Sequence, residues 1–82
     1  MLTKELAKGQ RVRLRNGWDA ELTRKPGATI AEAKVFGTYT EIGSIYCHDI
    51  AYAFDAAGGS YLVEHTPAQV RCRQAHEFAF GP

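Results

Sequence analysis

The sequence lacks the features that mark secreted and membrane-spanning proteins. Its two cysteines, Cys47 and Cys72, are too few for the disulfide framework of a small secreted domain. No apolar stretch approaches the length of a membrane span, and the longest, 50–57, is interrupted by Asp55. The N-terminus has no signal-peptide core. We therefore expect a cytoplasmic protein that does not associate with membranes.

The chain also lacks an excess of charge of one sign. Ten basic residues against nine acidic residues leave a formal net charge of +1, so no overall field attracts nucleic acid. Hydrophobic residues make up 45% of the chain, which is typical of a folded protein rather than a disordered one. At 82 residues we expect a single domain, 1–82, with a modest core. Chains of this size often gain stability by oligomerising, so a homodimer is possible.

The strongest local pattern is an alternating segment that ends in an Asn-Gly turn. Residues 11–15 alternate arginine with valine or leucine, which predicts a half-buried strand with its arginines in solvent. Asn16-Gly17 is typical of a tight hairpin turn, and a second strand is expected over 18–24.

The register of this hairpin determines which charges meet. We expect the register that collects the apolar side chains of both strands on one face. It sets Arg13 opposite Glu21 and Arg15 opposite Asp19, which leaves Arg11 the least committed arginine.

The remaining elements follow from turn and capping signals. Strands are expected over 30–36, 44–48, 50–55 and 61–64, and the glycine-bounded segment 37–43 is expected to form an exposed connection with strand-like edges. The domain then divides into a short N-terminal turn (3–8), a barrel (10–65) and a C-terminal helix (67–78). A Thr-x-x-Gln capping box at 66–69 predicts the start of that helix. Its small residues at helical spacing are expected to face inward: Ala68, Cys72, Ala75 and Ala79.

Several segments resemble a known group of proteins. Lys8-Gly9-Gln10-Arg11-Val12-Arg13-Leu14 resembles the opening of SH3-like barrels. Val12-Arg13-Leu14-Arg15-Asn16-Gly17-Trp18, with Gly37-x-Tyr39-Thr40-Glu41-x-Gly43-Ser44 and His48-Asp49-Ile50, is similar to small SH3-like barrel proteins of phages and other mobile genetic elements. The resemblance implies a mainly β fold, a small antiparallel SH3-like barrel of about five strands with a capped C-terminal helix. It implies an origin in a mobile element and brings no established activity.

Two groups of side chains are candidates for binding. Arg11 and Arg13 could neutralise phosphates while Trp18 stacks on a base. Tyr39 and Glu41 lie in the glycine-bounded loop, and loops on a rigid scaffold often carry binding residues. We expect a non-catalytic binding module that contacts a protein partner. Nucleic-acid binding through the arginine strand is the alternative, and a small oligomeric enzyme is third.

Chemistry-bearing residues adjoin at Cys47-His48-Asp49. Alternation along a strand sends Cys47 and His48 to opposite faces, so we expect a buried cysteine, a polar histidine and a turn at Asp49. Cys72 and His76 share a helix face, but zinc would need two further ligands. We therefore predict no catalytic residue, metal site or cofactor.

Overall fold

A computed structural model describes residues 1–80. In this part of the chain six strands and one α-helix follow each other: β1 (Arg11–Leu14), β2 (Asp19–Leu22), β3 (Ile30–Phe36), β4 (Thr40–Tyr46), β5 (Ile50–Phe54), β6 (Ser60–Leu62) and α1 (Pro67–Phe80). There are also two single-turn 3-10 helices. The first, η1 (Thr3–Glu5), precedes β1, and the second, η2 (Cys47–Asp49), joins β4 to β5. The predicted mainly β fold with a C-terminal helix is confirmed at this level.

The six strands form one open antiparallel sheet in the order β4-β3-β2-β1-β5-β6. The first four strands are a meander, and β5 returns to pair with the free side of β1. Within residues 1–80, β4 and β6 lie at the two edges and do not pair with each other. The sheet is therefore not closed, and the SH3-like barrel stays a prediction.

The first hairpin has the predicted faces and a different register. Arg13 lies opposite Asp19, whereas the sequence predicted Glu21 at this place. The loop has three residues, because the Leu14 N–H donates to the Trp18 carbonyl at 2.8 Å. Gly17 takes a φ of +91°, the left-handed conformation that ends a three-residue loop of this kind. The predicted register was wrong by two residues, and a two-residue shift leaves every side chain on its expected face.

The core lies on one face of the sheet, which we call the inner face. Strands β1 and β2 bury alternate residues, as their sequence predicts. The buried apolar side chains are Leu6, Val12, Leu14, Ala20, Leu22, Ala31, Ala33, Cys47, Ile50, Ala53 and Val63. Four of these residues are alanines, so the core is thin and depends on segments that reach it from both ends of the chain.

Strand β4 begins earlier than the sequence predicts. It pairs with β3 from Phe36 opposite Thr40 to Ile30 opposite Tyr46. The connection expected over 37–43 is largely exposed, as predicted, but from Thr40 onward it is regular strand, because backbone pairing with β3 extends through a stretch whose glycine and polar residues suggest a turn. The predicted strand end at 47–48 is instead η2.

The predicted start of α1 is confirmed by its capping box. The Gln69 N–H donates to the Thr66 hydroxyl at 3.2 Å, and the Thr66 N–H donates to the Gln69 side-chain carbonyl at 3.0 Å. The Gln69 side chain is also buried, and its amide donates to the Thr3 hydroxyl and to the Ala28 carbonyl, each at 2.7 Å. This glutamine thus joins α1, η1 and the segment before β3.

The expected inward face of α1 was wrong at two positions. Ala68 and Ala75 are exposed, and Cys72 is half-buried. The side chain of Ala79 lies outside the described residues. The helix packs against η2 and is anchored by the polar Gln69, so the stripe of small residues does not determine which side faces inward.

Candidate binding surfaces

The arginines of β1 lie on the outer face of the sheet, opposite to the core. Arg13 donates to Asp19 at 2.8 Å, and its guanidinium lies 5.3 Å from the Phe54 ring centroid. The hydrogen bond from Arg13 holds the pKa of Asp19 below its ordinary value, and the same contact raises the pKa of Arg13. A partner that needs a free cation at Arg13 would have to displace this carboxylate.

Arg15 connects three elements rather than extending a row of cations. Its guanidinium lies 3.8 Å from the Asp49 carboxylate in η2 and 3.5 Å from Glu77 in α1. The predicted pairing of Arg15 with Asp19 was wrong, because the observed register sets Asp19 opposite Arg13. Arg15 therefore serves the packing of the chain's C-terminal part.

Arg11 is the least committed arginine of β1, as the sequence predicts. It forms no ion pair with the described residues, although Glu21 lies opposite it in β2. Its guanidinium lies over the Phe36 ring at 4.6 Å. Together with Lys8 and Phe54 it lines an open groove of about 530 Å³. This groove places a positive charge without an ion pair beside an aromatic ring on the outer face.

Trp18 and Tyr39 flank Gly37 at the β3–β4 turn. A Cβ atom on Gly37 would overlap the Trp18 ring. The indole therefore packs against the Gly37 backbone, in space that a side chain would fill. Trp18 is nevertheless 45% exposed and Tyr39 is 77% exposed. Glu41 follows on β4 opposite Val35, a residue packed against the core, and it is exposed. We call Trp18, Gly37, Tyr39 and Glu41 the Trp18 surface.

The predicted binding residues therefore separate onto two faces. Arg11 and Arg13 lie on the outer face, while Trp18 and Glu41 lie on the side of the inner-facing residues, as the alternation of β2 and β4 requires. The sequence groups Trp18 with Arg11 and Arg13 as one candidate nucleic-acid site. A single small ligand cannot contact both groups across the sheet.

A cluster of rings around His48 was not found from the sequence. His48 is buried, its ring stacks on Tyr46 with centroids 5.0 Å apart, and His76 of α1 approaches it to 6.2 Å. Neither ring nitrogen of His48 has a hydrogen-bond partner, although Nδ1 lies 3.3 Å from an Asp49 oxygen. Cys47 is buried as the sequence predicts, whereas His48, predicted as a polar residue on the opposite face of a strand, is buried in η2 against Tyr46.

The chemistry of this cluster is limited by burial. Burial lowers the pKa of His48, and the neighbouring Asp49 carboxylate only partly opposes this effect. Burial also raises the pKa of the Cys47 thiol, whose sulfur lies 3.6 Å from the Gly27 carbonyl. His65 is engaged elsewhere, with Nε2 2.9 Å from the Ile50 carbonyl. Among residues 1–80 no three metal-ligating side chains come together.

Comparison with protein-family models, with curated proteins and with solved structures finds no match for this chain. Over the described residues, no helix has the length and apolar character that a membrane crossing requires.

Proposed function

We propose that this protein is a non-catalytic binding module that contacts a protein partner through the Trp18 surface. The observation that carries the proposal is the pair of exposed aromatic rings, Trp18 and Tyr39, on either side of Gly37. Exposed aromatic residues are enriched in the anchors of protein interfaces. Glu41 adds a carboxylate beside them, which favours a partner that presents an apolar side chain next to a basic one.

The packing of the Trp18 ring against Gly37 can be tested without removing Trp18. Gly37→Ala places a methyl group against the Trp18 ring and displaces it, so we expect a red shift of the fluorescence of this single tryptophan. Crowding of this kind costs about 1–3 kcal/mol of unfolding free energy. Gly43→Ala is the matched control, because a Cβ there meets no atom within 4 Å. An unchanged fluorescence spectrum for Gly37→Ala would contradict the packing of the Trp18 ring against Gly37.

Binding is tested by affinity capture from nuclease-treated cell lysate with wild type, Trp18→Ala and Tyr52→Ala. Tyr52 is a fair control, since it is 44% exposed and lies on the outer face opposite Arg13. Proteins that bind the Trp18 surface are retained by wild type and Tyr52→Ala and lost by Trp18→Ala. Recovery of nucleic acid alone, or capture that does not depend on Trp18, would refute the proposal.

Nucleic-acid binding through the outer face is the second candidate. The groove lined by Lys8, Arg11 and Phe54 supports it, because unpaired positive charge there lies beside a ring. The ion pair of Arg13 counts against a wider row of cations. This function requires an affinity for single-stranded oligonucleotides that falls steeply with salt and is weakened by Arg11→Ala.

We also propose an SH3-like course of the chain and an origin in a mobile genetic element. The return of β5 to the free side of β1, with η2 joining β4 to β5, supports a bent, SH3-like course of the chain. An origin in a phage or another mobile element is supported by the sequence resemblance alone.

A further inference from the structure

Strand β4 presents a long unpaired edge. It has seven residues and pairs with β3 on one side only. Six of the seven residues are exposed, and Ile42 is 68% exposed. Natural sheets usually protect such an edge with lysine, proline, a bulge or a covering segment, since it can pair with another chain. Strand β4 contains no lysine or proline, and its register with β3 is regular.

The direction of the backbone groups follows from hydrogen bonds at the two ends of the ladder. The Cys47 N–H donates to the Thr29 carbonyl at 2.8 Å, and the Gly37 N–H donates to the Tyr39 carbonyl at 3.3 Å. In an antiparallel pair the hydrogen-bonded positions alternate. The odd-numbered residues of β4 therefore bond to β3, and the even-numbered residues point their N–H groups away from it. Those residues are Thr40, Ile42, Ser44 and Tyr46.

The opposite edge of the sheet is treated differently. Strand β6 has only three residues, and the N-terminal segment runs beside the chain that follows it. The N-terminal ammonium donates to the Leu62 carbonyl at 3.2 Å, and the Glu64 N–H donates to the Met1 carbonyl at 2.7 Å. The protein thus covers its short edge, whereas the long one is met by His76 of α1 at its last residue, Tyr46, and residues 40–44 stay exposed.

We propose that two copies of this chain pair antiparallel through β4, which joins their sheets into one across a two-fold axis. An axis at Gly43 pairs all seven residues of the strand with those of the second copy. It sets Ile42 opposite the partner's Ser44 and Thr40 opposite the partner's Tyr46. All four of these residues point their N–H groups outward, so the hydrogen-bonding positions match. A shift of the axis by one residue would leave strand ends unpaired.

The side chains of β4 suit a second copy of the same strand. Gly43 meets itself at the axis, where a Cβ would find no atom within 4 Å in the single chain. Glu41 is the strand's only charge and lies opposite the partner's Ile45. The two Glu41 side chains are then about 14 Å apart at the rise of antiparallel strands. This distance exceeds the screening length of about 8 Å at physiological salt, so their repulsion is small.

The outer face adds apolar contact to the backbone pairing. Ile30 is 50% exposed and lies next to Tyr46, which is 38% exposed. Ile42 is also exposed on this face, but it lies opposite Lys34, with Ser44 between it and Tyr46. In the proposed register Ile42 lies diagonal to the partner's Tyr46, and Glu41 is the one member of the Trp18 surface that belongs to the paired strand.

The first test is sedimentation equilibrium of the full chain over a range of concentrations. We expect a monomer–dimer equilibrium in which Ser44→Pro weakens dimerisation by about tenfold or more, because each copy loses one inter-copy donor. Proline is tolerated where an edge N–H points to solvent. Ser44→Thr, which keeps the N–H, should dimerise as wild type does, and circular dichroism verifies the fold of both variants.

The second test fixes the register by cross-linking and does not depend on proline. Gly43→Cys in a Cys72→Ser background should form a disulfide-linked dimer on mild oxidation. The two residues form a non-hydrogen-bonded pair with Cα atoms about 4.5 Å apart, within the range that disulfides span. Glu41→Cys in the same background is the control, and it should form no disulfide-linked dimer under the same conditions, because its two cysteines are about 14 Å apart.

A chain that stays monomeric at the highest attainable concentration would overturn the proposal. So would a dimer that Ser44→Pro leaves intact and Leu62→Lys dissolves, because this result would place the contact at β6. Equal cross-linking of Gly43→Cys and Glu41→Cys would overturn the register. Trp18→Ala is expected to leave dimerisation unchanged, so failure of this proposal is separable from failure of the proposed partner binding.

Discussion

At the scale of single residues, His48 combines deep burial with two ring nitrogens that have no hydrogen-bond partner. Its ring stacks on Tyr46, so it fills space as an aromatic side chain would. Leaving buried polar atoms unpaired costs free energy, and protonating the ring would add a buried charge.

This arrangement predicts a loss of stability in mild acid. The pKa of His48 is lowered in the folded protein, so the unfolded chain takes up a proton first as the pH falls through about 6.5. The free energy of unfolding should therefore decrease below that pH. His48→Phe keeps the stack and removes both nitrogens, and we expect it to be about 1 kcal/mol more stable at pH 7.

Urea unfolding of wild type and His48→Phe at pH 7.5 and 5.0 measures both effects. The two proteins differ only at His48, so a change in pH dependence between them is assigned to this substitution. A pH dependence that His48→Phe leaves unchanged would show that another group is responsible.

At the scale of elements, α1 is held by polar contacts more than by an apolar face. The Gln69 side chain caps the helix, and its amide also reaches η1 and the segment before β3. The capping pattern in the sequence indicates the first role. The second depends on Thr3 and Ala28, which are distant in the chain and give no local signal.

We expect Gln69→Ala to destabilise the protein by about 2–4 kcal/mol, well beyond the loss of a cap. The change removes the cap's acceptor and leaves the Thr3 hydroxyl and the Ala28 carbonyl without their buried donor. Chemical denaturation gives the value. Gln74→Ala on the exposed side of α1 should stay within about 0.5 kcal/mol of wild type. Equal small effects at the two positions would argue against the buried anchor.

At the scale of the whole molecule, the N-terminal segment packs against the chain after β6 and against the start of α1. The N-terminal segment pairs beside β6, and Thr3 accepts from Gln69 near the start of α1. Cys47 is fully buried in the core of the folded chain. Burial also raises the pKa of its thiol, which lowers the fraction of reactive thiolate.

Cys47 should therefore react with a disulfide reagent only when the whole molecule unfolds. In a Cys72→Ser variant we expect its labelling rate to rise with urea along the same slope as global unfolding. Cys72 in a Cys47→Ala variant is the control and should react in the folded state, since it is half-buried on α1. Rapid, urea-independent labelling of Cys47 would indicate local opening of η2.

The sequence predicts some features of individual elements and not others. Alternation identifies the inner and outer faces of β1 and β2, because side-chain direction in a strand depends only on position along the chain. It does not identify the register, since the expected register and the observed one differ by two residues and both keep the apolar face intact. The Thr66–Gln69 capping box identifies the start of α1, because all of its contacts lie within one helical turn.

The sequence alone determined the mainly β fold, the start of the C-terminal helix, the alternating faces of the first hairpin and the low commitment of Arg11. These features depend on contacts between near neighbours in the chain. Only the tertiary structure decided that His48 is buried and that Gln69 joins three segments. It also separated the arginines from Trp18 and left β4 at an open edge. Each of these depends on which distant segments pack together, and residues near in sequence carry no record of that packing.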